Sequence, residues 1–107
     1  MQQWNVITLV SYMVTTSYDD YGDSVLSEVK QNVYAECRSI SQTEFYQAQT
    51  AGFKPEIKFV LTTSRDYKGQ EEIIFNGIRY KVLKTYIPPN DSIEITCYGG
   101  VRDDAST

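Results

Sequence analysis

One stretch, SISQTEFYQAQTAGFKPE from Ser39 to Glu56, constrains the fold most, because it alone spells a helix with both ends marked. Ser41 and Glu44 form an S-x-x-E capping box: the Ser hydroxyl accepts from the Glu44 amide, and the Glu carboxylate can reach back to the Ser amide. Ile40 and Phe45 stand at hydrophobic-staple positions that fix the angle of the incoming chain. Gly52 supplies a left-handed stop, Phe53 can fold back on Ala48, and Pro55 forbids resumption. The result is a single helix of about three turns. Its apolar stripe is thin, Phe45 and Ala48 with Tyr46 beside them, while Gln42, Gln47 and Gln49 are polar. A helix that buries so little must lean on something larger.

The rest of the chain offers strands and turns. Trp4 to Met13 is an apolar, β-branched run too short and too β-rich to prefer a helix. From Val14 the pattern dissolves into VTTSYDDYGDSV, which reads as a long polar loop up to Val25. Val33 to Ile40 alternates, with Val33, Ala35 and Cys37 facing one way, and leads into the helix. Glu56 to Thr62 alternates again through Ile57, Phe59 and Leu61. SRDYKGQ is a turn by composition. Glu72 to Phe75, Asn76-Gly77 and Ile78 to Tyr86 form the clearest hairpin, since Asn-Gly accepts the positive φ angles of a type I′ turn. Pro88-Pro89-Asn90-Asp91 breaks the run, and Ser92 to Tyr98 gives a last strand with Ile93, Ile95 and Cys97 inward. The expectation is a mainly β fold: about six strands in a small antiparallel barrel or sandwich, with one inserted helix and a long polar loop after the first strand. Residues 1–98 make one domain, and GGVRDDAST over 99–107 reads as a flexible tail.

A chain of 107 residues has room for one modest core. Its 41% apolar and 22% charged residues are those of an ordinary globular protein. Nine Tyr favour strands and contact surfaces. A net charge of −4 with no His argues against gripping a phosphate backbone. No run of about twenty apolar residues exists, and MQQWNVITLV lacks a basic stretch before its apolar run, so the expectation is a protein made in the cytosol with no membrane partner. Cys37 and Cys97 fall on strands without C-x-x-C spacing or a His, and read as reduced thiols rather than a disulfide or metal site.

Catalytic chemistry finds little purchase. There is no His base, no G-x-S-x-G elbow, no phosphate-cradling glycine loop and no ligand cluster, so the chain reads as no enzyme, with no cofactor. Glu44 with Glu56, or Asp66 with Glu71, are formal carboxylate pairs, but each member has a simpler task in a cap, a strand start or a turn. Asp19, Asp20 and Asp23 lack the alternation and terminal Glu of a calcium loop. Tyr34 and Tyr80 read as core or cross-strand neighbours. Tyr18, Tyr21 and Tyr67, on expected loops, are candidates with Asp19, Asp20 and Asp23 for contacts to another subunit or partner. The residues alone thus describe a small acidic β-rich binding or assembly module.

The run from Val33 to Tyr86 resembles the phage head closure, or head-tail joining, family of connector proteins. Three pieces carry the likeness: SISQTEFYQAQTAGFKPE, the DYKGQEE turn and the NGIRYKVLKTY arm. Lys84 departs from an Arg frequent in that family before Thr-Tyr, which removes any role needing a planar guanidinium there. The resemblance implies a β-barrel subunit, monomeric alone, that forms a cyclic ring below the portal and adaptor proteins. Such a ring completes the virion neck, retains DNA and meets a tail-completion or tail-tube protein. It also implies a channel-gate segment, here Ser41, Gln42, Glu44, Phe45, Tyr46, Gln47, Gln49 and Phe53, whose bland alternative is a helix plugging one barrel mouth. An acidic surface fits a conduit through which double-stranded DNA passes without specific binding. The alternatives are an inhibitor or regulator of a soluble protein partner, and a neighbouring tail-completion protein.

Overall fold

A computed structural model describes residues 4–18 and 24–103, with side chains over 4–14 and 26–103. The elements in order are β1 (Trp4–Tyr18), β2 (Ser24–Arg38), α1 (Gln42–Thr50), β3 (Pro55–Leu61), a 3-10 turn (Ser64–Asp66), β4 (Glu72–Phe75), β5 (Ile78–Tyr86) and β6 (Ile93–Arg102). The six strands are antiparallel and close into a barrel in the order β1-β2-β3-β6-β5-β4, with β4 returning to β1. The mainly β barrel with one short helix expected from the sequence is the fold observed.

Period-two alternation fills the interior. Ile7 and Leu9, Val33 and Ala35, Phe59 and Leu61, Ile73, and Ile93, Ile95 and Cys97 form the buried core. Phe59 sits among them with edge-to-face contacts to Phe75 at 5.6 Å and Tyr80 at 6.0 Å. A barrel of this strand number encloses only enough space for its own side chains. The interior is therefore a packed core, and a conduit could arise only between copies.

Closure depends on bulges that bend strands and raise local twist. An extra residue enters β3 between Pro55 and Ile57, β5 between Val82 and Lys84, and β6 between Tyr98 and Val101. The last uses Gly99 at φ +65. Here the structure corrects the expected tail: Gly99-Gly100 is a bulge inside β6, not a chain break. Ile78 pairs with Arg102 and Arg79 with Val101, and the Asp103 amide donates to the Gly77 carbonyl at 2.9 Å. Only residues 104–107 lie outside the described part of that segment. The Asn76-Gly77 turn has φ 54 and 78, as a type I′ hairpin requires.

The second correction concerns the expected polar loop from Val14 to Val25. The β1–β2 ladder continues from Trp4↔Glu36 to Val14↔Leu26 and ends at Tyr18↔Ser24, with a register shift between Val14 and Tyr18. Valine and threonine in VTT favour strand despite their polar neighbours, so the paired strands run on to Tyr18 and from Ser24. β4 pairs with β1 only from Thr8 to Val10, and β3 with β2 only from Glu36 to Arg38. Beyond Val10 and Lys30 the hairpin thus leaves the barrel as a two-stranded ribbon with no described strand on either edge. The molecule measures 50 × 29 × 28 Å.

Candidate functional site

The inserted helix is built as its letters direct. The Ser41 hydroxyl accepts from the Glu44 amide at 3.2 Å. The reciprocal half of the box differs: Glu44 Oε1 takes the Ser41 hydroxyl at 3.1 Å and the Lys58 ammonium at 2.6 Å. A cation on β3 outcompetes an exposed backbone amide for the carboxylate, because a charge-assisted bond is the stronger. At the far end the Gly52 amide donates to the Gln49 carbonyl and the Phe53 amide to the Ala48 carbonyl, both bonds of a Schellman stop, with Gly52 at φ +90.

Glu44 and Phe53 fasten α1 to the outside of the wall. Lys58, between inward Ile57 and Phe59, also reaches Glu94 at 3.2 Å. Burial opposes the Lys58 charge, but the bonds to Glu44 and Glu94 outweigh it and raise its pKa. Burial likewise opposes charge on Glu44, yet Lys58 and Ser41 hold its carboxyl below the usual range. The Phe53 ring meets Tyr98 edge-on at 5.0 Å. No residue of α1 is buried. Ser41, Gln42, Tyr46, Gln47 and Gln49 are exposed, and Glu44 and Phe45 half-buried. The gate candidates are therefore contiguous on one accessible element. That element is tied to β3 through Lys58 and, just past its end, to β6 through Tyr98.

The interface candidates divide. Tyr18 closes the β1–β2 ladder opposite Ser24, while Asp19, Asp20, Tyr21 and Asp23 lie outside the described residues. Tyr67 lies on the loop after the 3-10 turn, as expected, and is half-buried: its hydroxyl donates to the Gln70 carbonyl at 2.6 Å and its ring packs against the core. The buried Gln70 side chain accepts the Lys68 amide at 2.7 Å, which satisfies it within the turn. Tyr80 joins the core, whereas Tyr34 is 69% exposed opposite Val6.

Sequence reasoning missed the ribbon's apolar surface. Val14 and Leu26, directly paired, are 63% and 64% exposed, and Met13 and Val29 are exposed too. Trp4, Val6 and Tyr34 form a second exposed group on the outer face of the same hairpin. The symmetry of two β-rich runs about DDYGD was the available signal.

At the ribbon's root, Arg79 gathers carboxylates from three directions: Glu28 at 3.0 Å, Glu72 at 2.9 Å and Asp103 at 3.2 Å. The Tyr12 hydroxyl donates to Glu72 at 2.5 Å and accepts from Arg79 at 3.2 Å. Burial works against the Arg79 charge, but these bonds and the field of Glu28 raise its pKa. The bond to Glu72, followed by burial, pushes the Tyr12 hydroxyl up to about 12.

The carboxylates considered as pairs serve separate parts. Glu44 holds Lys58, and Glu56 Oε1 accepts from the Gly100 amide at 2.9 Å across the β6 bulge. Both thiols are free, and burial pushes Cys97 up to about 12 and Cys37 upward, so each stays a protonated packing group. Among the described residues no cluster of three His, Cys, Asp or Glu is arranged to hold a metal, and no helix is long and apolar enough to cross a membrane. Compared with known proteins, the chain matches no family model and no curated protein.

Proposed function

We propose that this chain is a structural subunit of the tailed-phage neck, several copies forming a ring below the portal and adaptor proteins. The ring closes the DNA channel and offers the docking surface for the tail. The observation that carries this reading is a barrel filled by its own side chains from which an apolar ribbon projects. Interior capacity for a ligand is spent, while exposed apolar side chains on both faces of the ribbon, Val14 and Leu26 on one and Met13 and Val29 on the other, mark a site of protein contact. The accessible α1, with Gln42, Gln47 and Gln49 outward, supports the gate assignment, and a net charge of −4 suits a wall past which phosphates slide. The working location is the virion neck, after synthesis in the bacterial cytoplasm.

The test is electron microscopy of the purified chain mixed with portal–adaptor complexes. Added ring density below the portal is expected, and its absence at saturating protein would overturn the reading. A small binding module acting on one soluble partner is the second reading, favoured by the separate Trp4, Val6 and Tyr34 group. Deleting residues 17–23 separates the two. Neck assembly should fail and filled heads should leak DNA, whereas an inhibitor would lose a single binary affinity.

A further inference from the structure

A cleft of about 400 Å³ opens on the outer face of the barrel where β1, β2, β3 and β6 lie side by side. Its floor follows one register row: Trp4 pairs with Glu36, Glu36 with Val60, and Val60 with Glu94. Three strand spacings make that row about 14 Å long. The Trp4 ring, 43% exposed, stands at one end of it, and Val60 is almost closed to solvent in the middle. Arg38 of β2, with Pro88 and Asn90 of the β5–β6 connection, completes the lining used here. The charges in the cleft are already matched. Arg38 grips Glu36 through Nε at 3.1 Å and Nη2 at 3.4 Å, a bond that raises the Arg38 pKa. Lys58, beside the cleft, reaches Glu94 at 3.2 Å. Each carboxylate is thus fixed by a cation and keeps lone pairs for further donors. Asn90 is fixed as well: its Oδ1 accepts from the Ser92 amide at 3.2 Å and the Ser92 hydroxyl at 2.8 Å, which leaves its amide hydrogens to donate.

We propose that this cleft binds a short neutral oligosaccharide, with one sugar ring stacked by its C–H face on Trp4 and hydroxyls bonded to Glu36, Glu94, Arg38 and Asn90. The chemistry selects this ligand by what it turns away. A cationic side chain is drawn to an aromatic ring beside free carboxylates, but both carboxylates here already hold cations. An anion would find the Arg38 guanidinium taken and two carboxylates beside it. An extended peptide adds to a sheet through unpaired backbone, whereas Glu36, Val60 and Glu94 each have a paired strand on both sides. A wholly apolar ligand would bury the ion pairs and the Asn90 amide without partners. An uncharged molecule rich in hydroxyls meets all of these demands: it donates to the carboxylates, accepts from guanidinium and amide, and lays its apolar face on the indole. The volume falls in the range of about 300–1,000 Å³ usual for small-ligand sites. None of these residues belongs to the ribbon beyond Val10 or to α1, so the site goes beyond the neck reading and does not depend on it.

Trp4 is the sole tryptophan of the chain, so its fluorescence reports this site alone. The full-length chain is titrated with maltotriose, cellotriose, mannotriose and triacetylchitotriose, and separately with a triarginine peptide. Concentrations run to about 10 mM, well above the dissociation constant of about 1 mM expected for so open a cleft. The expected result is a saturable change in Trp4 emission with at least one saccharide and none with triarginine. Amide chemical shifts at residues 36, 60 and 94 should move along the same isotherm. Asn90→Asp keeps the acceptor for Ser92 and removes the donor, and should weaken that saccharide about tenfold, as should Arg38→Met. Trp4→Ala should abolish the chemical-shift response, with circular dichroism unchanged in all three variants. No saturable response to any of the saccharides, any saturable response to triarginine, or undiminished binding by Asn90→Asp and Arg38→Met would overturn the proposal.

Discussion

Replacing Arg79 by Met cuts a cation that ties both strands of the ribbon to β4 and to the end of β6. Its partners differ in what they lose. Glu28, with its side chain 34% exposed, rehydrates at little cost, and Glu72 at 17% in part. The Asp103 side chain is 4% exposed and forfeits two guanidinium bonds, from Nε at 3.4 Å and Nη2 at 3.2 Å. Breaking a buried pair from one side costs about 3–5 kcal/mol. Because Arg79 keeps 13% of its surface, the lower end, about 3 kcal/mol, is the expected loss. At a urea slope of about 1.5 kcal/mol per molar, the midpoint falls by about 2 M with the slope unchanged. Urea denaturation followed by circular dichroism measures it. Asp103→Asn in the Arg79→Met background should cost much less than in the wild type, since the two guanidinium bonds to that carboxylate are already gone. Amide exchange should also quicken first at residues 11–14 and 26–30. A loss below about 1 kcal/mol, or strictly additive effects of the two substitutions, would refute the assignment of this cluster as the ribbon's anchor.

The raised Tyr12 hydroxyl binds its proton more tightly in the folded chain than in the unfolded one. Its share of stability is whole below pH 10 and is lost as pH rises toward about 12; Tyr12→Phe should flatten that part of the pH profile relative to wild type in alkaline denaturation. Gly100→Ala brings a methyl to 2.7 Å from the Tyr80 ring and 3.0 Å from Ile78 and Glu56, which should cost about 2 kcal/mol by overpacking in thermal or urea melts. Lys58→Met should leave global stability within about 1 kcal/mol while accelerating amide exchange across Gln42–Thr50; unchanged exchange would mean that α1 is held by something other than the Glu44 bridge. The same bridge weakens in acid, because Glu44 titrates below its ordinary 4.5: its contribution is intact above that value and lost as pH falls through the lowered one, which exchange of the same amides at acid pH would reveal.

Local rules were legible wherever a residue's job is set by its near neighbours. The cap at Ser41, the stop at Gly52, the type I′ turn at Asn76-Gly77 and the inward rows of β3 and β6 follow from side-chain period and backbone sterics alone. They also sufficed for the barrel class, since alternating strands with one thin helix have few ways to bury their apolar faces. The carboxylate of Glu44 was foreseen at the cap but not on Lys58, fourteen residues on. Tyr67 sits on its expected loop, but its packing against the core and its bond to the Gln70 carbonyl were not legible.

What tertiary structure alone decided was register and reach. Gly99-Gly100 ends a strand in sequence terms but is a bulge when β5 stands beside it, and VTTSYDDYGDSV is polar enough for a loop until β1 and β2 are seen to pair as far as Tyr18 and Ser24. Pairing partners lie far apart along the chain, and the free energy that fixes them comes from neighbours no local pattern names. The apolar side chains of the ribbon carry the same lesson. Met13, Val14, Leu26 and Val29 are hydrophobic in either case, and only the lengths of β3 and β4, which stop short of them, leave them in water.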